Sequence, residues 1–495
     1  MNRTFNLADV FEAVARAVPD RPALVAGARR LTYRQLDERA GRFAGHLAAL
    51  GVLPGDRVGI LARDRAEWKE SELACFKLRA VPVNLACAGE RLARVIEDTG
   101  CSLLVGEGEL LARAPWFPRT IAYGRPYEEA LRACQAPPPR PRSGDDHYLV
   151  CSAGTTGVPR AVVWRQEDAF FAAMGGGGFM GEPVRSVAEL AERAAQGVAL
   201  RMLTCVPLSH HAGQWLSWVC HATGGTLVLW TGQGFDPRAV VELAGRERVQ
   251  VMLVGGDAMG RPLAGVLRAG ELPELMAIVT GGSAMSAEVK ERLHARLPGL
   301  AVIVDSLGCA ETGAVCQAMG DGFELAEGVA VLREDLTPAG PGESGVLGRS
   351  GRVPLGEWPR DAQGRAWVVQ GDLARLEGDG TVTLLGRERN VIHTCGHRVQ
   401  AEEVEAALRA HPAVHDVVVV GVPDPELGEA VTAIVAPVAP LTLADLAEHC
   451  AKRLADHQAP RVLRQVSEIH RGPSGEPDYE WATAVAQPQC SNGLS

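Results

Sequence analysis

Residues 151–160 read CSAGTTGVPR, and the preceding residues 147–150 are an apolar run that predicts a strand. Glycines and small hydroxyl residues let backbone N–H groups approach an anion closely. Arg160 adds a fixed positive charge. This composition predicts a phosphate-binding loop, with an ordinary Ser/Thr/Gly turn as the alternative. The spacing differs from that of a Walker A loop, which requires GxxxxGK followed by Ser or Thr.

Strand and helix patterns alternate on both sides of this loop. Residues 23–25 and 57–61 predict strands, and a helical pattern runs through Leu73 and Phe76. Such alternation is typical of α/β layers built on parallel sheets. A glycine run at 175–178 indicates a flexible or closely packed loop. The sequence therefore predicts an α/β fold.

A second pattern begins near Gly386. Residues 402–409 predict a helix, residues 416–420 an apolar strand and residues 443–454 another helix. A tail with this content is typical of a small α+β domain. The predicted domains are therefore residues 1–385 and residues 386–495.

Composition and charge restrict the class of protein. The 495 residues are 46% hydrophobic and 22% charged, which indicates a folded globular chain longer than one ordinary domain. The net charge of −10 argues against general binding to nucleic acid or to an anionic membrane. Only four of the 50 basic residues are lysines, and this arginine bias suggests GC-rich coding.

Nothing in the sequence predicts export, membrane insertion or zinc binding. The twelve cysteines form no CxxC pair and no zinc-type cluster with histidine, so reduced thiols in the cytoplasm are expected. Residues 1–20 contain Arg3, Asp9 and Glu12 and no uninterrupted apolar core, which predicts no signal peptide. No apolar run has the 18 or so residues that a membrane span needs.

The loop at 151–160 resembles the SGTTGxPKG signature of the AMP-forming adenylating superfamily, which includes acyl-CoA synthetases, adenylation domains and luciferases. Other segments resemble further motifs of this family, in the family's order and over nearly the whole chain. These segments are residues 77–84, 281–285, 305–313, 370–372, 386–387 and 396–405. Leu307-Gly308, residues 256–259 and residues 475–481 are most similar to the fatty-acyl-CoA-synthetase-like branch. The resemblance implies a large N-terminal region of stacked α/β subdomains and a small mobile C-terminal domain.

The resemblance also implies an ATP site. Thr155 and Thr156 are expected to hold the β- and γ-phosphates, and Asp372 the ribose hydroxyls. Arg387 is expected at the ribose or phosphate, and Glu311 at Mg²⁺, a hard cation suited to carboxylate oxygen. The residues expected at ATP or AMP are Ser152, Gly154, Thr155, Thr156, Gly157, Arg160, Gly281, Gly282, Ser283, Asp305, Ser306, Leu307, Gly308, Ala310, Asp372 and Arg387.

Residues 207–211, with two nearby tryptophans, match the segment that lines the acid pocket in this family. One of the two histidines is expected to contact the substrate carboxylate. Trp215 and Trp218 are three residues apart, so one helix face could present both, although core packing explains them equally well. The residues expected at the substrate pocket are His210, His211, Trp215, Trp218, Gly256 and Gly308.

The sequence departs from the family at its C-terminal catalytic lysine. Family members place there a lysine that bridges the substrate oxyanion and the α-phosphate, and this chain has Glu476. Two like charges ~4 Å apart at an effective dielectric near 20 repel by ~4 kcal/mol. Either Glu476 points away while Arg471 or another arginine substitutes for the lysine, or the chemistry differs from carboxylate adenylation, or adenylation has been lost. Ala310 also replaces a Thr or Ser that contacts the phosphate in the family.

Three functions follow from these observations. The first is an ATP- and Mg²⁺-dependent AMP-forming ligase that activates a carboxylic acid in specialised metabolism, with CoA as a candidate acceptor. The second is a diazotase that uses ATP and nitrite on an aryl amine, and the third is a non-catalytic nucleotide-binding protein. The expected catalytic set is Thr155, Thr156, Glu311, Arg387 and Glu476, the last with an open role. Both monomer and homodimer remain open.

Overall fold

The structure is a computed structural model that describes residues 3–85, 92–152, 160–179, 181–282, 285–320, 322–451, 453–472 and 475–487, with only the backbone of Ser152 and Arg160. Its strands are β1 Pro22–Ala26, β2 Arg29–Thr32, β3 Arg57–Leu61, β4 Val81–Asn84, β5 Cys101–Gly106, β6 Thr120–Ala122, β7 His147–Ser152, β8 Arg160–Arg165, β9 Arg201–Thr204, β10 Thr226–Leu229, β11 Val251–Val254, β12 Ala277–Thr280, β13 Val302–Cys309, β14 Gly313–Ala318, β15 Glu324–Leu325, β16 Val329–Leu332, β17 Ser344–Arg349, β18 Val368–Leu376, β19 Val382–Arg387, β20 Val391–Thr394, β21 His397–Gln400, β22 Val414–Asp424, β23 Gly428–Pro437 and β24 Val462–Gln465.

Helices alternate with these strands over most of the chain. They are α1 Leu7–Ala17, α2 Tyr33–Ala49, α3 Ala66–Lys77, α4 Leu92–Thr99, α5 Gly108–Leu111, α6 Arg125–Ala133, α7 Gln166–Ala173, α8 Val187–Gln196, α9 His211–Ala222, α10 Pro237–Arg246, α11 Gly256–Val266, α12 Ala287–Arg296, α13 Ala401–Arg409, α14 Leu443–Cys450 and α15 Tyr479–Ala486. The predicted α/β class is confirmed: a large N-terminal domain of α/β layers precedes a small C-terminal domain.

The largest sheet has the order β15-β14-β13-β12-β11-β9-β10-β1-β2. Its central strands from β13 to β1 are parallel, and antiparallel strands cover both ends. The central strands are apolar on both faces, since β10 and β11 are buried at every position. Helices on both sides account for this pattern, which is typical of parallel sheets.

Smaller sheets complete the N-terminal domain. A second parallel sheet has the order β4-β3-β5-β6, and β7 and β8 form an antiparallel hairpin. An antiparallel sheet β16-β17-β18-β19 follows the large sheet. The turn at 379–380 connects β18 and β19, which form an antiparallel hairpin.

The C-terminal sheet begins after a short 3-10 turn, Glu388–Asn390. Its order is β21-β20-β23-β22, and β24 pairs in parallel with β23. Helix α13 packs on β22, and Val404 and Leu408 belong to a separate apolar core that includes Val417 and Val431. The predicted helix at 402–409 and strand at 416–420 are therefore present. The turn at 388–390 lies at the predicted boundary between the two domains.

Candidate functional site

Loops that carry predicted site residues follow neighbouring parallel strands. Residues 207–211 follow β9, Gly255-Gly256 follow β11, and Gly281-Gly282 follow β12, while Glu311 follows β13. Strands β9, β11, β12 and β13 are adjacent and parallel. Their carboxyl ends therefore meet at one edge of the sheet, where ligands bind in open α/β sheets.

The phosphate-loop prediction falls mostly outside the described residues. Gly154, Thr155, Thr156 and Gly157 lie outside them, and so does Ser283. For Ser152 and Arg160 the structure gives the backbone, in which these two residues pair across the β7–β8 hairpin. The described residues on either side of this segment therefore belong to two antiparallel strands.

Asp372 and Arg387 form an ion pair at the end of the β18–β19 hairpin. They are cross-strand partners, and Arg387 Nε donates to Asp372 Oδ1 at 2.7 Å. Both side chains are largely buried, with exposed fractions of 12% and 31%. The pairing fixes the orientation of the carboxylate that was predicted to bind ribose.

Glu311 lies in the turn between β13 and β14, and its side chain is half-buried. Burial, together with the charges of Glu311 and Asp372, raises the pKa of the nearby Cys309 thiol to about 12. Both carboxylates therefore lie within electrostatic range of one thiol. Glu311 is a suitable ligand for a hard cation. Among the described residues, no group of three or more His, Cys, Asp or Glu side chains forms a ready-made metal site.

Asp305 is engaged within the protein. Thr280 Oγ1 donates to Asp305 Oδ1 at 3.0 Å, and Lys290 Nζ donates to Asp305 Oδ2. Ala310, also predicted at the nucleotide, is buried, and its carbonyl oxygen accepts from Trp164 Nε1 at 2.9 Å. Asp305 therefore supports strand β13, and Lys290 neutralises its charge.

A cavity of 1360 Å³ adjoins this edge of the sheet. Thr280, Gly281 and Ser306 line it next to the predicted nucleotide residues. Much of its wall is apolar and comes from α7, the following loop and α9. These apolar lining residues are Phe171, Ala172, Ala173, Phe179, Ala212, Trp215, Leu216 and Val219.

Trp215 and Trp218 belong to the same apolar core but have different neighbours. Trp215 also lines the cavity, whereas Trp218 is fully buried and is not among the lining residues. Trp218 Nε1 donates to Glu72 Oε1 at 3.2 Å, and Lys69 Nζ lies 4.2 Å from the centroid of its ring. Gly256 and Gly308, also predicted at the substrate, are not among the described residues that line the cavity. A Cβ at position 308 would lie 2.3 Å from Gly313 O, so a glycine here permits the close pairing of β13 with β14.

His210 and His211 begin helix α9. Nδ1 of His210 caps the helix by accepting from Ala212 N at 3.2 Å. The His211 ring lies 4.6 Å from that of Trp215, at the cavity wall. Burial lowers the pKa of His210, although the charge of Glu476 opposes this shift. Burial and the neighbouring His210 hold the pKa of His211 well below its usual value. Both imidazoles are therefore neutral at pH 7.

Glu476 from the C-terminal domain lies within electrostatic range of His210 from the N-terminal domain. The turn that carries it is fixed: Gly472 N donates to Glu476 O at 2.8 Å. Arg471 donates to Asp416 at 2.6 and 2.8 Å and to Gly475 O at 2.7 Å. Arg471 is therefore held within its own domain, which removes the support for its substituting for the lysine.

The sequence reasoning missed the charged part of the cavity wall. Arg3, Glu167, Asp168, Arg349 and Arg352 also line the cavity. These residues come from three widely separated segments of the chain and belong to no motif that singles them out. The glycine run at 175–178 was the only local signal, and Gly175 and Gly178 do line the cavity.

Comparisons with known proteins agree with this architecture. The sequence model of the AMP-binding enzyme family matches residues 11–342, and that of the AMP-binding enzyme C-terminal domain matches residues 403–476. The chain is 35% identical to a 3-oxocholest-4-en-26-oate–CoA ligase from Rhodococcus rhodochrous, over 96% of this chain and 95% of the relative. It is also 35% identical to the medium-chain acyl-CoA ligase Mig from Mycobacterium avium, over 97% and 98%.

Solved structures share the fold. The o-succinylbenzoate CoA synthetase of Bacillus subtilis, in complex with its acyl-adenylate intermediate, has a TM-score of 0.79 at 23% identity over 98% of both chains. ATP-bound MatB from Rhodopseudomonas palustris has a TM-score of 0.82 at 21% identity, over 98% of this chain and 99% of that one. No helix in the described part of the chain is both long and apolar enough to cross a bilayer. The chain belongs to the AMP-binding enzyme family.

Proposed function

We propose that this protein uses ATP and Mg²⁺ to convert a bulky carboxylic acid into an acyl-adenylate and pyrophosphate, and then transfers the acyl group to CoA. The observation that carries the proposal is the 1360 Å³ cavity beside Gly281 and Ser306. This volume exceeds the ~300–1,000 Å³ typical of small-molecule sites. The two curated relatives named above act, by their names, on a steroid acid and on medium-chain acids.

The chain's own residues supply several requirements of the first step. The carboxylate of the acid and the α-phosphate are both negative, so the site must reduce repulsion and align the attack. Arg387 places a guanidinium beside Asp372. The carboxylate of Asp372 would accept hydrogen bonds from the ribose hydroxyls. Glu311 would hold Mg²⁺, and that ion, when bound, neutralises phosphate charge.

The acid would lie along the apolar wall, with its carboxyl group near Ser306. The neutral imidazole of His211 packs against Trp215 with the two rings tilted by 50°, and it can act only as a hydrogen-bonding partner, not as a cation. Burial of the acyl group against Phe171 and Trp215 supplies binding energy, at ~25 cal/mol per Å² of apolar surface. The cavity thus favours acids with a large apolar body.

No lysine in the described residues is available to replace the missing one. Lys69 pairs with Glu72 at 2.5 Å in the core, and Lys77 pairs with Glu12 at 2.6 Å. Lys290 is paired with Asp305. We therefore infer that adenylate formation proceeds without a lysine at position 476, and that Glu476 slows this step.

The test is pyrophosphate release by the pure protein with ATP, Mg²⁺ and acids from acetate to steroid acids, with CoA-ester formation followed in parallel. We expect release with large acids and its loss in Glu311→Ala, while Glu334→Ala, an exposed control in the same domain, keeps it. Release only with nitrite and an aryl amine would identify a diazotase instead. ATP binding without release under any condition would identify a non-catalytic protein.

A further inference from the structure

One end of the cavity is built from charged side chains. Helix α7 runs along the cavity. Its C-terminal end lies beside Gly313, since a Cβ at position 313 would lie only 2.7 Å from Ala172 O. Glu167 is five residues earlier, so the helical rise places it ~7–8 Å farther along the axis. Glu167 and Asp168 therefore line the end of the cavity away from the β13–β14 turn that carries Glu311.

Arg352 extends over this distal end. Its guanidinium carbon lies 4.2 Å from the centroid of the Phe171 ring, and Phe171 also lines the cavity. Its Nη1 lies 3.7 Å from Asp168 Oδ1 and 3.9 Å from Glu167 Oε1. Both distances exceed the length of a hydrogen bond. Arg352 is therefore held by charge and by stacking, and its N–H groups keep the capacity to donate to a ligand.

Arg349 lines the same cavity and is only 2% exposed. Its Nη1 donates to Glu327 O at 3.0 Å and its Nη2 to Ala314 O. Its Nε has no hydrogen-bond partner, and no carboxylate of the described residues lies within ion-pair distance of it. Burial lowers its pKa to about 10. A buried N–H without an acceptor is unfavourable until a ligand supplies one.

We propose that Arg349 and Arg352 form a subsite for a neutral oxygen, a ketone or hydroxyl group, on the part of the acid remote from its carboxyl group. This inference rests on the proposed function and names the substrate class. A neutral oxygen fits better than a second carboxylate, because Glu167, Asp168 and Glu327 line the same region and would repel an added negative charge.

The test compares matched acids in the pyrophosphate-release assay. The probes are straight-chain acids of 8 to 16 carbons, their counterparts with a ketone on the penultimate carbon, and the dicarboxylic acids of equal length. A hydrogen bond to a charged donor is typically worth about tenfold or more in affinity. At the chain length that reaches the subsite, we expect kcat/KM for the keto acid to exceed that of the parent acid about tenfold. For the dicarboxylic acid of equal length, kcat/KM is expected to be lower than for the parent acid.

Two variants connect this preference to the arginines. Arg352→Leu is expected to bring the keto-to-parent ratio of kcat/KM close to one. In this variant Asp168 keeps Arg3 at 2.5 Å, and Glu167 keeps the hydrogen bonds from Thr4 N and Phe5 N at 2.8 and 3.1 Å. Arg349→Lys keeps the charge but lacks the Nε–H, and should lower the same ratio. Arg125→Leu, at a side chain 88% exposed, is the matched control and should leave the ratio unchanged.

The possible results are distinct. Equal use of keto and parent acids at every length, a preference for dicarboxylic acids, or an unchanged ratio in Arg352→Leu would overturn the subsite and leave the proposed function intact. Absence of release with every acid would overturn the proposed function and the subsite with it.

Discussion

Replacing Glu476 with glutamine should accelerate adenylate formation. The anchored turn at Arg471 and Gly472 keeps the backbone in place, so the substitution removes one negative charge with little change of shape. A charge 4 Å from the reacting oxyanion costs ~4 kcal/mol at an effective dielectric of ~20 and ~1 kcal/mol in bulk water. These limits correspond to roughly a thousandfold and roughly a fivefold change in rate. Because Glu476 is only half-buried, we expect a gain of about tenfold.

Glu476→Lys should increase the rate further, since it reverses the charge. The assay is single-turnover formation of the acyl-adenylate, with Glu468→Gln, an exposed position in the same domain, as control. An NMR titration should show that Glu476→Gln lowers the pKa of His210 further, since it removes the charge that raises it. A tenfold or greater loss of rate in both variants would show that the carboxylate takes part in the chemistry, and would refute the repulsion argument.

Three further predictions concern the hinge, the core and the pH dependence. Asn390→Pro, in the turn between β19 and β20, should keep pyrophosphate release and lose acyl transfer to CoA. Asn390→Ala is the control. Equal loss of both steps in the proline variant would contradict the prediction. Glu72→Gln should lower the free energy of unfolding, measured in urea, by about 3–5 kcal/mol, because it leaves the buried ammonium of Lys69 without a counter-charge. The double variant with Lys69→Met should recover most of this loss. A decrease below 1 kcal/mol in the single variant would be inconsistent with a buried ion pair. Burial raises the pKa of Asp64 to about 7, although a hydrogen bond from Leu208 N acts in the opposite direction. The folded state therefore binds more protons than the unfolded state between pH ~4 and 7, and stability falls as the pH rises through this range. Between pH 5 and 8 the free energy of unfolding should fall by about 2 kcal/mol more in the wild type than in Asp64→Asn. Parallel profiles of stability against pH in the two proteins would refute the assignment.

Local patterns predicted the secondary structure around the site well. The strand at 57–61 and the helix at 402–409 are present because apolar periodicity and capping act over a few residues. The helix predicted at 443–454 ends earlier, at Cys450. Helix ends depend on the last turn's contacts, which periodicity alone does not show.

The placement of side chains on one helix was harder to predict. Trp215 and Trp218 are three residues apart, and this spacing permits a shared face. In the tertiary structure both side chains belong to one apolar core, but Trp218 contacts Lys69 and Glu72 on α3 whereas Trp215 lines the cavity. Sequence spacing gives the angle between two side chains but not the neighbours that each one meets.

The sequence by itself determined the α/β layers, the order of the motif loops and the glutamate at position 476, because these follow from local composition and spacing. Only the tertiary structure showed that Glu476 faces His210 and that Arg471 is committed to Asp416. It alone also brought Glu167 and Arg352 to one end of a cavity. Residues so distant along the chain become neighbours only through packing of the sheets and helices, which no local pattern encodes.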